Sequence, residues 1–163
     1  MKTILITVLL LFGSVCFAQT NPLAGFENLA GSSWVSEGTQ LGGFEGKTVY
    51  KIDYGLDGKI VKVQTFATDP RTKEVGLRNE GIRAFDSKAG SVVFYEFDKL
   101  GGITTGKVEI ERNNFHYTYT YQGMELRDSW IYKSKDEYEF IVGVWKNGDW
   151  VQKFHETTLK REQ

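Results

Sequence analysis

The chain has 163 residues, 40% hydrophobic and 25% charged, with 20 Lys and Arg against 21 Asp and Glu. A formal net charge of −1 leaves no basic excess, and acids alternate with Lys and Arg along the chain, which argues against a nucleic-acid partner. Its one cysteine, Cys16, excludes a disulfide framework or a cysteine-rich metal site.

The N-terminus, MKTILITVLLLFGSVCFAQT, has a lysine, an apolar run from Ile4 to Phe12 and small residues up to Ala18. That is the layout of a secretory signal peptide cleaved after Ala18. The apolar run is shorter than a membrane span requires. Lipidation at Cys16 is the other alternative, but Gly13-Ser14-Val15 lacks the leucine such a site usually carries. The expected mature protein starts at Gln19, has no transmembrane anchor, and resides in the periplasm or outside the cell. It comprises one domain, residues 19–163, whose roughly 145 residues suffice for one hydrophobic core.

Asn21 followed by Pro22 predicts a short helix over Pro22 to Leu29, stopped near Gly31. Beyond it the chain reads as β. Turn signals stand at Leu41-Gly42-Gly43, Asp57-Gly58, Asp69-Pro70, Ser87 to Gly90, Gly101-Gly102, Asn113-Asn114, Gln122-Gly123, Ser134 to Asp136 and Asn147-Gly148. They delimit about ten strands with short connections, so each strand is expected to pair antiparallel with its neighbour in sequence. Closing such a meander removes its exposed edges, which predicts an all-β, single up-and-down antiparallel barrel. A two-sheet sandwich is the rival and normally needs longer crossovers.

The early strand alternates Phe44, Thr48, Tyr50, Ile52 and Tyr54 with Glu45, Lys47, Val49, Lys51 and Asp53. "LRNEGIRAF", Leu77 to Phe85, carries charge on both faces: Asn79 and Arg83 on one, Arg78 and Glu80 on the other. Either register brings an arginine to the interior. "GGITTGKV", Gly101 to Val108, approximates a phosphate-binding loop, but Val108 replaces the metal-binding hydroxyl and a strand follows Lys107 instead of a helix.

"NNFHYTYTYQG", Asn113 to Gly123, places Phe115, Tyr117, Tyr119 and Tyr121 on one face. With Gln122-Gly123 as a two-residue turn, these oppose Trp130, Asp128, Leu126 and Met124 in that order, and Gly106 falls opposite Tyr119. The outer face carries His116, read as a surface residue. Three inward tyrosine hydroxyls suit a polar-lined cavity better than a dry core, since each would cost about 1–3 kcal/mol if buried without a partner. A filled barrel with hydroxyls bonded to one another and to trapped water is the alternative. Asp128, inward among apolar neighbours, is expected to have a raised pKa unless a cation or donors compensate. Asp128 and Arg83 suit either an internal ion network or ligand contact.

On the last strand, the Asn147-Gly148 turn sets Val144 against Val151, Val142 against Lys153 and Phe140 against His155. A one-residue bulge would reverse that strand. His155 is the only inward histidine, and two histidines cannot form an ordinary zinc site. The sequence contains neither a nucleophile elbow nor an H-E-x-x-H motif.

"NLAGSSWVSEGT", Asn28 to Thr39, resembles the opening of the lipocalins and the wider calycin superfamily, where a short helix leads into Gly-x-Trp; here one more residue separates Gly31 from Trp34. That resemblance implies a basic residue on the last strand, Lys160 or Arg161, stacked over Trp34. "YGLDGK", "LRNEGIRAFD", "GVWKNGDW" and the terminal "LKR" are similar to secreted bacterial lipocalin-like domains of unknown function. Haem-binding nitrobindins share the early tryptophan and a late histidine, a place His155 would fill.

The expected function is a binding protein for a small hydrophobic or aromatic molecule, contacted by Tyr117, Tyr119, Tyr121, Asp128, Trp130, Arg83 and His155. No cofactor, metal or catalytic residue is assigned. The alternatives are an isomerase, cyclase or hydrolase using Asp128 as acid or base, and a haem carrier.

Overall fold

The computed structural model describes residues 21–40 and 42–162. The signal segment, Cys16 and the cut after Ala18 lie outside the described residues, as does Leu41 of the first turn. A 3-10 helix, Ala24–Asn28, precedes ten strands: β1 Ser32–Thr39, β2 Glu45–Gly55, β3 Ile60–Thr68, β4 Val75–Asp86, β5 Ser91–Asp98, β6 Ile103–Glu111, β7 Asn114–Tyr121, β8 Met124–Ser134, β9 Glu137–Lys146 and β10 Asp149–Arg161. Each pairs antiparallel with the next, and β1 closes the barrel on β10 through Trp34 opposite Arg161 and Val35 opposite Lys160.

The helix is of the tighter 3-10 type and shorter than expected. Asn21 still contributes to its start, its Oδ1 accepting from the Leu23 amide at 3.0 Å. The segment acts as a plug. Leu23, Phe26 and Leu29 are buried in the core cluster with Trp34, Phe115, Tyr138 and Leu159. Phe26 packs on Phe115 at 4.9 Å between ring centroids, and the Tyr54 hydroxyl donates to the Leu23 carbonyl at 2.8 Å. Arg161 lies over Trp34 at 4.5 Å and donates to the Asn28 carbonyl at 2.7 Å, fastening the plug to the last strand.

The β7–β8 register is as expected: Phe115 opposite Trp130, Tyr117 opposite Asp128, Tyr119 opposite Leu126 and Tyr121 opposite Met124. Gly106 stands opposite Tyr119, where a Cβ would come within 2.7 Å of the Phe94 ring and 3.0 Å of the Tyr119 Cβ. Only glycine allows those two rings to approach edge to face, at 6.0 Å.

The last hairpin differs from expectation. Two register shifts, between Trp150 and Gln152 and between Lys153 and His155, set His155 opposite Val142 instead of Phe140. Because the shifts are single residues and there are two, parity is restored and His155 still points inward, one row nearer the barrel mouth. Lys153 does not share that face; it opposes Gly143 and pairs with Glu156 at 2.8 Å on the outside. A third shift, in β4 against Thr65 and Phe66, leaves Arg78 as the extra residue, so that it joins Asn79 at the cavity rim instead of facing outward with Glu80. His116 lies on the outer face as expected but is buried, with Nδ1 2.8 Å from the Ser129 Oγ.

Candidate binding cavity

Strand alternation carries inward side chains along the whole barrel, and the plug fills only one end. Above it lies a cavity of about 580 Å³, within the range of small-molecule sites. Its floor is aromatic. Trp130 meets Tyr50 at 5.1 Å and Phe140 at 5.8 Å between centroids, and Tyr50 meets Phe140 at 5.8 Å. The rim includes Arg78, Leu100, Tyr121, Met124 and Phe154, all exposed, so the cavity opens at the end opposite the plug.

The inward tyrosines take three different environments. Tyr117 is buried beside Arg83, its ring 5.2 Å from the guanidinium carbon, and burial raises its pKa. Tyr119 donates its hydroxyl to Asp128 Oδ1 at 2.8 Å, and its pKa is raised by burial and by that carboxylate. Tyr121 stands half exposed at the rim.

Arg83 and Asp128 part company. Arg83 is 6% exposed and pairs through Nη2 with Glu96 Oε2 at 3.0 Å, while Asn79 Nδ2 donates to Glu96 Oε1 at 2.7 Å. The guanidinium carbon also lies 5.6 Å from the Phe94 ring. This is an internal ion network, and Gly81 helps to make room for it: a Cβ there would stand 3.0 Å from Arg83 Nη1. Among the described residues Arg83 Nε, Arg83 Nη1 and Asn79 Oδ1 are buried without a hydrogen-bond partner, so the network is incompletely satisfied.

Asp128 has a hydroxyl where Arg83 has a carboxylate. It forms no ion pair among the described residues, it retains partial exposure on the cavity, and Tyr119 is its donor. Desolvation deep in the barrel pushes its pKa up to about 7; the Tyr119 hydrogen bond opposes this, the Glu96 charge adds to it and Arg83 subtracts. Tyr50, also with a raised pKa, feels Asp128 and Glu96 after burial itself. His155 faces the cavity from β10 in the same row as Asp128, edge to face with Phe140 at 6.2 Å; burial lowers its pKa, so it is neutral near pH 7.

Glu96 escaped sequence reasoning because "SVVFYEFD" is apolar in both phases: Val92 and Phe94 point in while Val93, Tyr95 and Phe97 point out. The pairing of Phe94 with Gly106, itself opposite Tyr119, fixes the phase and would have turned Glu96 inward. A second cluster emerged on the outer face. His116, Ser129 and Glu111, the last 4.0 Å from His116 Nε2, have the order of a nucleophilic triad. Ser129 is 1% exposed, so its hydroxyl is out of reach of a substrate and serves to tie β7 to β8. Among the described residues no group of three or more His, Cys, Asp or Glu is arranged to hold a metal.

The closed ten-stranded antiparallel barrel is consistent with a calycin-type fold. No protein-family model matches the chain, and no curated protein matches it. The barrel and its cavity therefore carry the functional reading.

Proposed function

We propose that the protein is an exported lipocalin-like carrier that holds a small, partly apolar molecule inside the barrel. The observation that supports this most is Asp128, a carboxyl lining an aromatic-floored cavity with no ion-pair partner among the described residues. A barrel selected only for stability would gain by replacing that carboxyl with an apolar side chain, because an unpaired buried charge is costly. Trp130, Tyr50 and Phe140 supply contact area, and Tyr119 with Asp128 fixes orientation. Arg83 acts from within its network, His155 from the row of Asp128, and Tyr121 nearer the mouth.

Native mass spectrometry of protein purified from its own host tests the reading. A bound small molecule that is absent after denaturation is expected; bare protein in every preparation, with no thermal shift on adding host extract, would refute it.

The same carboxyl supports a second reading. A group titrating near neutrality beside a phenol is suited to proton transfer, so an isomerase, cyclase or hydrolase with Asp128 as acid and base fits the geometry. Release of a chemically altered guest from the protein would favour it over simple carriage.

A further inference from the structure

Resting on the carrier reading, we propose that the guest carries a protonated amine on a compact aromatic or apolar body, with the ammonium seated against Asp128 and the body on the aromatic floor. The charge inventory around that seat leads to this assignment. Glu96 and Arg83, facing Asp128 from β5 and β4, neutralise each other across 3.0 Å. Tyr50 on β2, with Tyr117 and Tyr119 on β7, has a raised pKa and stays a neutral phenol. His155 on β10 is neutral near pH 7, since burial lowers its pKa. Arg78, on the bulge of β4, stands exposed at the rim. Once ionised, Asp128 is thus the one uncompensated charge at the aromatic floor among the described residues, and it is negative; Arg78, whose charge reaches Tyr50, lines the rim with Asp98 and with Lys99, the last paired with Asp69 at 3.3 Å.

The walls agree with the sign. Tyr50, Trp130 and Phe140 line the cavity with Asp128 and meet one another edge to face or tilted, and aromatic rings attract cations. A carboxylate guest would meet Asp128 and Glu96 as like charges. Arg83 offers it little, because Nη2 is committed to Glu96 and Nε and Nη1 are buried without surface on the cavity. A neutral acceptor guest would use Asp128 in its protonated form, which makes the opposite pH dependence the discriminating observation. An ammonium needs the carboxylate. Its binding therefore draws Asp128 toward ionisation and releases a proton wherever the free carboxyl is still protonated.

The test uses the mature protein and three probe families of matched ring size: benzylamine and tryptamine, the alcohols benzyl alcohol and tryptophol, and the acids phenylacetate and indole-3-acetate. Titration calorimetry is run from pH 5.5 to 8.5 in two buffers of different ionisation enthalpy. Amine affinity is expected to rise up to tenfold per pH unit below the midpoint of Asp128 and to level off above it, with proton release into the buffer at the low end. Asp128→Asn is expected to lose at least tenfold in amine affinity together with the pH dependence, while its circular dichroism spectrum and cooperative thermal unfolding show that the variant is folded. Alcohols or acids binding as well as the amines, or affinity falling with rising pH, would overturn the amine and leave the carrier standing. Failure of every probe would overturn the amine as well, and the host-derived adduct would then decide the carrier separately.

Discussion

The two ends of this barrel are made from the same alternation and reach opposite solutions. At the closed end Phe26, Trp34, Phe115, Tyr138 and Leu159 are fully buried, and Arg161 stays at the margin, charged but partly in solvent above Trp34. At the open end the inward positions are occupied by Asp128, Glu96, Arg83, Asn79 and Tyr119, with cavity space between them. The first arrangement maximises contact and leaves the Tyr138 hydroxyl buried without a partner among the described residues and pushed up to a pKa of about 12. The second leaves three buried polar atoms, Arg83 Nε, Arg83 Nη1 and Asn79 Oδ1, without a hydrogen-bond partner among the described residues. The plug is the densely packed end and the space above it the polar, open one, so the same kind of substitution is expected to act differently at each end.

The largest effect is expected at the plug. Phe26→Ala removes a fully buried ring that packs on Phe115, and a loss of about 3–5 kcal/mol in denaturant unfolding is expected. A loss below 1 kcal/mol would mean that the helix does not seal the barrel.

Splitting the buried pair comes next. Glu96→Gln leaves Arg83 charged and unpaired, and a cost on the order of 3 kcal/mol is expected, with Glu96→Leu plus Arg83→Met recovering most of it. If the double variant were no better than the single one, the network would matter for more than its own pairing.

Asp128 should behave in the reverse sense. Its folded-state pKa, near 7, lies above its ordinary value of 3.8, so the folded protein holds the proton more tightly than the unfolded chain between those limits. Stability is then expected to fall as pH rises from about 4 to about 7, by up to ~1.4 kcal/mol per unit, and to level off above. Asp128→Asn is expected to flatten that slope and to be more stable than the natural protein at pH 8, on the order of 2 kcal/mol. Chemical unfolding at several pH values checks both. A variant less stable at pH 8 would show that Asp128 belongs to the structural network.

Tyr119→Phe gives the smallest stability change. Its hydroxyl bonds one internal partner, which retains surface on the cavity, so a cost of about 1 kcal/mol or less is expected, with the midpoint of Asp128 moving upward as its donor is lost. A cost well above that would place Tyr119 with the closed end rather than the open one.

The sequence carried the strand order in full and a helix at one end, though not its 3-10 form, because two-residue turns such as Gln122-Gly123 lock the register and period-2 alternation assigns the faces. The order Phe115, Tyr117, Tyr119 and Tyr121 against Trp130, Asp128, Leu126 and Met124 followed from that turn alone. What stayed hidden depended on bulges and on strands apolar in both phases. Arg78 and His155 moved along the wall because extra residues entered β4 and β10, and no residue type marks those insertions. Glu96 was hidden because Tyr95 and Phe97 beside it, though outward and exposed, read as core. His116 was misplaced in depth because Ser129 and the side chains around it cover the outer face there, a matter of neighbours across strands rather than of its own position.

The open end holds the Asp128 carboxyl largely desolvated and without an ion-pair partner among the described residues. Carbon-detected NMR titration of the Asp128 carboxyl in the guest-free protein tests this most directly. A midpoint near 7, shifting upward in Tyr119→Phe, is the predicted result. A midpoint at the ordinary aspartate value of 3.8 would contradict the account, since Asp128 would then be solvated or paired and the open end would be only the wetter half of a filled barrel.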